Sequence, residues 1–209
     1  MRTYSDFTIR EGESVPFVMR WSESFSPAQP GPIDPLQALA HCDRIWGEWS
    51  SRCTVGGPYH DMVKRSLLVL KALTFAPTGG MVAAATTSLP EWIGGVRNWD
   101  YRYCWLRDAA FMLFALAAGG YKDEARAWRD WLLRAAAGAP DQLQILYGIA
   151  GERRLTEVEL PWLEGYEKSQ PVRIGNAASE QLQLDVYGEV MGTLYLARLS
   201  GIDGSVGWP

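Results

Sequence analysis

Arg97-Asn98-Trp99-Asp100-Tyr101-Arg102-Tyr103-Cys104-Trp105-Leu106-Arg107-Asp108 leads directly into Ala109-Ala110-Phe111-Met112-Leu113-Phe114-Ala115-Leu116-Ala117-Ala118-Gly119-Gly120. From Tyr103 to Gly120 the only charges are the adjacent Arg107 and Asp108. An apolar surface on every side is the pattern of a buried helix. The spacing predicts that helix over Tyr103 to Ala118, ended by Gly119-Gly120. Two charges at the mouth of such a helix cost several kcal/mol per ion unless they are paired or hydrogen-bonded. Two readings follow. Arg107 and Asp108 satisfy loop carbonyls and amides at the helix start, or they bind the hydroxyls of a ligand walled by Trp105 and Tyr101.

Outward from this stretch the text is mostly helical. Asp34-Pro35 is an N-cap followed by proline at the first helical position, and opens a helix to Ser51. Tyr59 to Phe75 is a second, stopped by Pro77 and Gly79-Gly80. Met81 to Pro90 reads as an extended segment and loop. Lys122 to Ala137 is a helix with charges on one face and Trp128, Trp131 and Leu132 on the other. Asp141 to Ile149 is a short element. Glu152 to Asn176 is a long loop broken by Pro and Gly, a candidate binding loop carrying Trp162, Tyr166 and Arg173. The last helix is expected over Ala177 to Ser200. Successive helices without alternating strands argue an all-α architecture.

Residues 1–33 differ. Phe7-Thr8-Ile9-Arg10 and Val15-Pro16-Phe17-Val18-Met19-Arg20-Trp21 are β-prone runs around Glu11-Gly12-Glu13-Ser14, a hairpin-like signal. Ser26 to Pro32 reads as a linker. Two strands do not make a stable sheet alone. Residues 1–33 therefore either pack on the following domain or are the tail of a β-domain plus linker, and 34–209 are expected to be the helical domain.

Composition narrows the function. The 209 residues are 47% hydrophobic and 21% charged with a formal net charge of −4, enough for a core and against a basic nucleic-acid surface. No apolar run approaches the roughly 20 residues of a membrane span, and no apolar leader follows Met1. Cys42, Cys53 and Cys104 lack metal or redox spacing, which fits a reducing cytoplasm. His41 and His60 as the sole histidines argue against a Ser-His-Asp triad or a multi-histidine metal site and point to carboxylate chemistry. Ten tryptophans are core, or indole faces for pyranose rings. Gln181, Asp185 and Glu189 recur every four residues and share one helical face, with Gly188 and Gly192 beside it. That face is a solvated acidic stripe or a carboxylate pair suited to general-acid work.

Thr86-Thr87-Ser88-Leu89-Pro90-Glu91, the string from Gly94 to Asp108, Arg173-Ile174-Gly175-Asn176-Ala177-Ala178 and Gln183-Leu184-Asp185-Val186-Tyr187-Gly188-Glu189-Val190 resemble the bacterial branch of glycoside hydrolase family 15. The match covers Asp34 to Leu199. The resemblance implies an (α/α)6 barrel, a six-hairpin toroid, behind an N-terminal β-sandwich. It implies inverting hydrolysis of terminal α-glucosidic bonds, glucoamylase- or trehalase-like, with no cofactor and no metal. Carried over by motif, Trp105, Arg107 and Asp108 resemble the floor of the glucose subsite, and Tyr101 the tyrosine near the reactive ring. Trp162, Arg173 and Asp185 are further candidates for substrate contact. Glu189 resembles the general acid. The fungal glucoamylases carry Trp-Glu-Glu where this chain has Tyr187-Gly188-Glu189 and use the first acid, which falls on Gly188 without a gap. The role passes to Glu189 if the helix is slightly shifted or the bacterial branch uses its second position.

Family members are much longer, which implies that these residues hold part of the barrel and a β remnant, with the general base elsewhere. The expected partner is a small-molecule or oligosaccharide α-glucoside, with no nucleic acid and no membrane. Self-association through an exposed barrel edge is a further expectation. The chain alone is expected to lack activity, and the alternative reading is a catalytically silent carbohydrate-binding fragment.

Overall fold

The computed structural model describes residues 4–25 and 31–202. The chain divides into two compact units, residues 1–51 and 52–209.

In the first unit, α1 spans Pro35–Ser51. Its start is as expected: Asp34 Oδ1 accepts from the amides of Leu36 (3.0 Å) and Gln37 (3.1 Å), so the carboxylate caps amides that have no partner within the helix. The strands expected in residues 1–25 do not form among the described residues. A turn exists at Glu11-Gly12, closed by Glu13 N to Arg10 O (3.0 Å), and brings the rings of Phe7 and Phe17 to 5.4 Å. No ladder follows it, because an isolated pair of short runs lacks a sheet or helix to bury its apolar side. Most of the expected linker lies outside the described residues.

The second unit contains α2 (His60–Ala72), α3 (Leu106–Ala118), α4 (Lys122–Ala135) and α5 (Asp185–Leu199). Four two-residue strands make two antiparallel pairs. β1 (Cys104–Trp105) lies against β2 (Leu146–Tyr147), and β3 (Val158–Glu159) against β4 (Arg173–Ile174). Strands therefore lie at the start of the expected third helix, in the short element expected over Asp141 to Ile149, and in the expected loop. Single bridges join Thr74 to Met81 and Thr87 to Asp100. The mostly helical character agrees with expectation.

Helix α3 is the centre, packed on both α4 and α5 and touching α2. Leu106, Ala109, Ala110, Leu113 and Leu116 form its buried face at helical spacing. Across from it lie Ala125, Trp128, Trp131, Leu132 and Ala135 of α4, and Val186, Thr193 and Ala197 of α5. Trp128 and Trp131 stack at 4.6 Å, and Trp131 meets Tyr147 edge-on at 6.2 Å. Its indole N–H donates to Ile149 O at 2.9 Å, so these tryptophans are core residues with the one polar atom of Trp131 satisfied.

The expectation that α3 is buried all round is corrected. Phe111 is 68% and Phe114 55% exposed, because no described element covers that side. The last helix also starts later than expected. Residues Ala177–Glu180 make a 3₁₀ turn capped by Asn176 Oδ1 on Ala178 N (3.0 Å), and Gln181 is extended. Gln181 therefore leaves the face it was expected to share with Asp185 and Glu189. Asn176 opens this turn, and the extended backbone of Gln181 ends it before α5 begins.

Candidate functional site

Residues 99–103 enter α3 as a held extended segment. Ser88 N donates to Trp99 O (2.9 Å), Ala84 N to Tyr101 O (2.9 Å) and Ala83 N to Tyr103 O (3.0 Å). The segment becomes β1 and turns into α3 at Trp105, whose extended backbone (ψ 126°) is the N-cap. Leu106 N finds Ile145 O at 3.0 Å. This entry places Arg107 and Asp108 in the first helical turn, where the acid is favoured by the positive end of the helix dipole.

Arg107 does not bond its neighbour. Its Nη1 reaches Asp185 Oδ2 at 3.0 Å and Gln183 Oε1 at 3.3 Å, at the start of α5. The side chains of Arg107 and Asp185 are 46% and 47% exposed, so the pair contributes little stability, at most about 1 kcal/mol. Its consequence is geometric: it joins two motifs 78 positions apart. Glu189 stands one helical turn beyond Asp185 on α5 and is half-buried. Gly188 and Gly192 have open space where a Cβ would stand.

Tyr101 and Trp105 approach at 6.3 Å between ring centroids, tilted by 49°. The Trp105 indole nitrogen is buried without a hydrogen-bond partner among the described residues. Burial raises the Tyr101 hydroxyl above its ordinary pKa. Glu91 raises it further, Arg97 opposes, and Asp108 adds to the rise. That coupling puts Asp108, an exposed residue, within electrostatic reach of the aromatic pair. Tyr101, Trp105, Arg107, Asp108 and Asp185 thus cluster about the start of α3, with Glu189 one turn along α5.

Trp162 and Arg173 are placed differently. Trp162 is 73% exposed on the segment between β3 and β4. Arg173 has a side chain only 11% exposed, ion-paired with Glu157 (3.2 Å) and Glu159 (3.1 Å) and lying over the Trp99 ring at 4.7 Å. The presumed loop 152–176 is therefore partly a strapped hairpin.

Sequence reasoning passed over Asp100, which is 1% exposed. Its Oδ1 accepts from Arg102 N (3.1 Å) and Nε (2.9 Å), and its Oδ2 from Arg102 Nη2 (2.8 Å) and Gly175 N (3.2 Å). Its carbonyl accepts from Asn176 Nδ2 at 2.9 Å. The signal available was an acid inside the aromatic string and an Asn just after Arg173. Nothing local said that the two would meet. Among the described residues no group of three or more His, Cys, Asp or Glu side chains is placed to hold a metal ion.

This is a helical unit whose aromatic and charged residues converge at one helix entrance, with a carboxylate on a neighbouring helix. Residues 57–206 match the family model described as glycosyl hydrolases family 15. The chain belongs to that family. It is 45% identical over 164 residues to a trehalase of Thermoplasma acidophilum, covering 78% of this chain and 28% of that protein. It is 39% identical over 195 residues to a trehalase of Mycolicibacterium smegmatis, covering 90% of this chain and 28% of that one. A trehalase of Mycobacterium tuberculosis is 37% identical over 196 residues, with the same coverage of each, 90% and 28%. The chain thus spans 28% of the length of each of these relatives. No solved structure matches it.

Proposed function

We propose that this chain carries the general-acid side of an inverting glycosidase site that cleaves a terminal α-glucosidic bond, with trehalose as the first substrate to test. The observation that carries the reading is the Arg107–Asp185 pair, which draws the α3 entrance and the α5 carboxylates together. The names of the relatives direct the substrate to trehalose rather than a glucan.

In this reading Tyr101 and Trp105 wall the non-reducing glucose. Arg107 and Asp108 offer a donor fork and an acceptor to its other hydroxyls, and Asp185 fixes the fork. Trp162 is an outer sugar contact. Glu189 is the general acid that gives a proton to the glycosidic oxygen as the bond to the anomeric carbon breaks. A water on the opposite face attacks that carbon and loses its proton to a second carboxylate. Inversion needs the two carboxyls about 6.5–9.5 Å apart, to leave room for that water. The second carboxylate belongs to sequence outside these residues, so this chain alone is expected to release no glucose.

The test uses a polypeptide of the relatives' length containing this stretch, assayed on trehalose, maltose and isomaltose. Glu189→Gln is expected to lower glucose release at least about 100-fold while trehalose binding stays near the unsubstituted level. Undiminished hydrolysis by Glu189→Gln would sink the assignment. Binding without turnover in the unsubstituted polypeptide would favour a silent sugar-binding protein.

A further inference from the structure

We propose that Arg173 is a positioning residue whose guanidinium clamps the Val96–Trp99 segment and so presents the Tyr101–Trp105 wall, rather than itself touching sugar. The inference rests on the reading of Tyr101 and Trp105 as that wall.

Two of the three guanidinium nitrogens donate hydrogen bonds, and the third, Nε, is buried beside Glu157 in an ion pair without hydrogen-bond geometry. Nε faces Glu157 at 3.2 Å and Nη2 faces Glu159 at 3.1 Å. Nη1 donates to Val96 O at 3.0 Å and to Asn98 O at 3.4 Å. The plane covers the Trp99 ring, which takes that face away from any ligand. The backbone of Arg173 is held as firmly. Its amide donates to Ser88 Oγ (2.8 Å), and its carbonyl accepts from Thr87 Oγ1 (2.6 Å) and Ser88 Oγ (3.1 Å).

Ser88 in turn gives its amide to Trp99 O, and Asp100 takes the amide of Gly175. Residues 87–88, 96–100 and 173–176 are therefore one polar brace, and Tyr101 is the next residue along it. Glu157 also accepts from Ala177 N at 3.2 Å, so the same carboxylate that holds Arg173 holds the turn leading to α5. A planar five-donor fork meets two carboxylates, two carbonyls and an indole face at once. An ammonium on a flexible stem does not.

The test compares the unsubstituted chain with Arg173→Lys and Arg173→Ala by residue-resolved hydrogen exchange and by trehalose titration. In Arg173→Lys, exchange at the amides of Ser88, Arg102 and Gly175 is expected to accelerate about tenfold or more, the scale of one lost charged hydrogen bond, with α4 unchanged. Trehalose affinity falls by a similar factor. Guanidinium ion at low, non-denaturing concentration restores both in Arg173→Ala, because it refills the same cage. If Arg173→Ala does not fold, Arg173→Lys carries the test by itself.

Unchanged exchange in Arg173→Lys overturns the brace. Accelerated exchange with undiminished trehalose affinity overturns the positioning role. Failure of the unsubstituted chain to bind trehalose counts against the sugar wall itself, and exchange then still decides whether Arg173 holds the segment.

Discussion

Asp100→Asn is the substitution that most directly probes how the site is held. The two side chains have the same shape, but only one oxygen survives. Each carboxylate oxygen of Asp100 accepts two N–H groups: Oδ1 from Arg102 N and Nε, Oδ2 from Arg102 Nη2 and Gly175 N. Either orientation of an amide therefore points its NH₂ at two donors, and no flip rescues it. The Arg102 side chain is 44% exposed and turns to water at small cost, whereas the Asp100 side chain is 0% exposed. What remains is at least one buried N–H without an acceptor, worth about 1–3 kcal/mol, and weaker bonds from a neutral acceptor. The expected destabilisation is about 2–4 kcal/mol. Urea unfolding followed by far-UV circular dichroism measures it as a lowered midpoint at unchanged slope. Asp123→Asn is the control. Its side chain is 79% exposed and its pairing with Arg126 is a surface contact, so a change within about 0.5 kcal/mol is expected. A loss below about 1 kcal/mol for Asp100→Asn would refute the reasoning that this carboxylate is an indispensable acceptor.

Two further predictions concern glycine and cysteine. Gly188→Ala, in α5 with open space around the new Cβ, is expected to raise stability by about 0.5–1 kcal/mol; Gly175→Ala, at φ +80° with its Cβ driven onto Thr156 O, is expected to lower it by more than about 2 kcal/mol. Equal midpoints for the two variants would contradict both placements. Burial pushes the Cys104 thiol from 9.0 up to about 12, with Glu152 adding to the rise. Above pH 9.0 the unfolded chain loses a proton that the folded chain keeps, so this thiol's contribution is fully present below that pH. Stability then falls with rising pH by about 1.4 kcal/mol per unit until the folded thiol ionises. Cys104→Ala should remove that part of the alkaline slope, and an unaltered slope would exclude it.

The helices were legible because their signals are local. Asp34-Pro35 caps α1 with its own side chain, Gly119-Gly120 stops α3 with a positive φ at Gly120, and the apolar spacing of α3 and α4 marks what each can bury. The density of aromatic and charged residues before α3 likewise marked the candidate site, including Tyr101, Trp105, Arg107 and Asp108. The strands of residues 4–25 were over-read, because β-prone composition makes a strand only where a partner buries one side.

Other features depend on partners far along the chain. Arg107 stands beside Asp108 in sequence but pairs with Asp185, since packing of α3 on α5 supplies a partner better aligned than the adjacent residue. Arg173 reads in the sequence as a cleft residue or a partner for one of the loop acids, and folding sets it between Glu157, Glu159 and the carbonyls of Val96 and Asn98. Phe111 and Phe114 look like core in the sequence and are exposed, because hydrophobicity states what a residue can bury and not whether anything arrives to cover it. The sequence by itself determined the helices and the residue types at the site. Tertiary structure decided which charges meet, because a charge in a half-buried place takes the partner that folding brings within hydrogen-bond reach, at whatever distance along the chain.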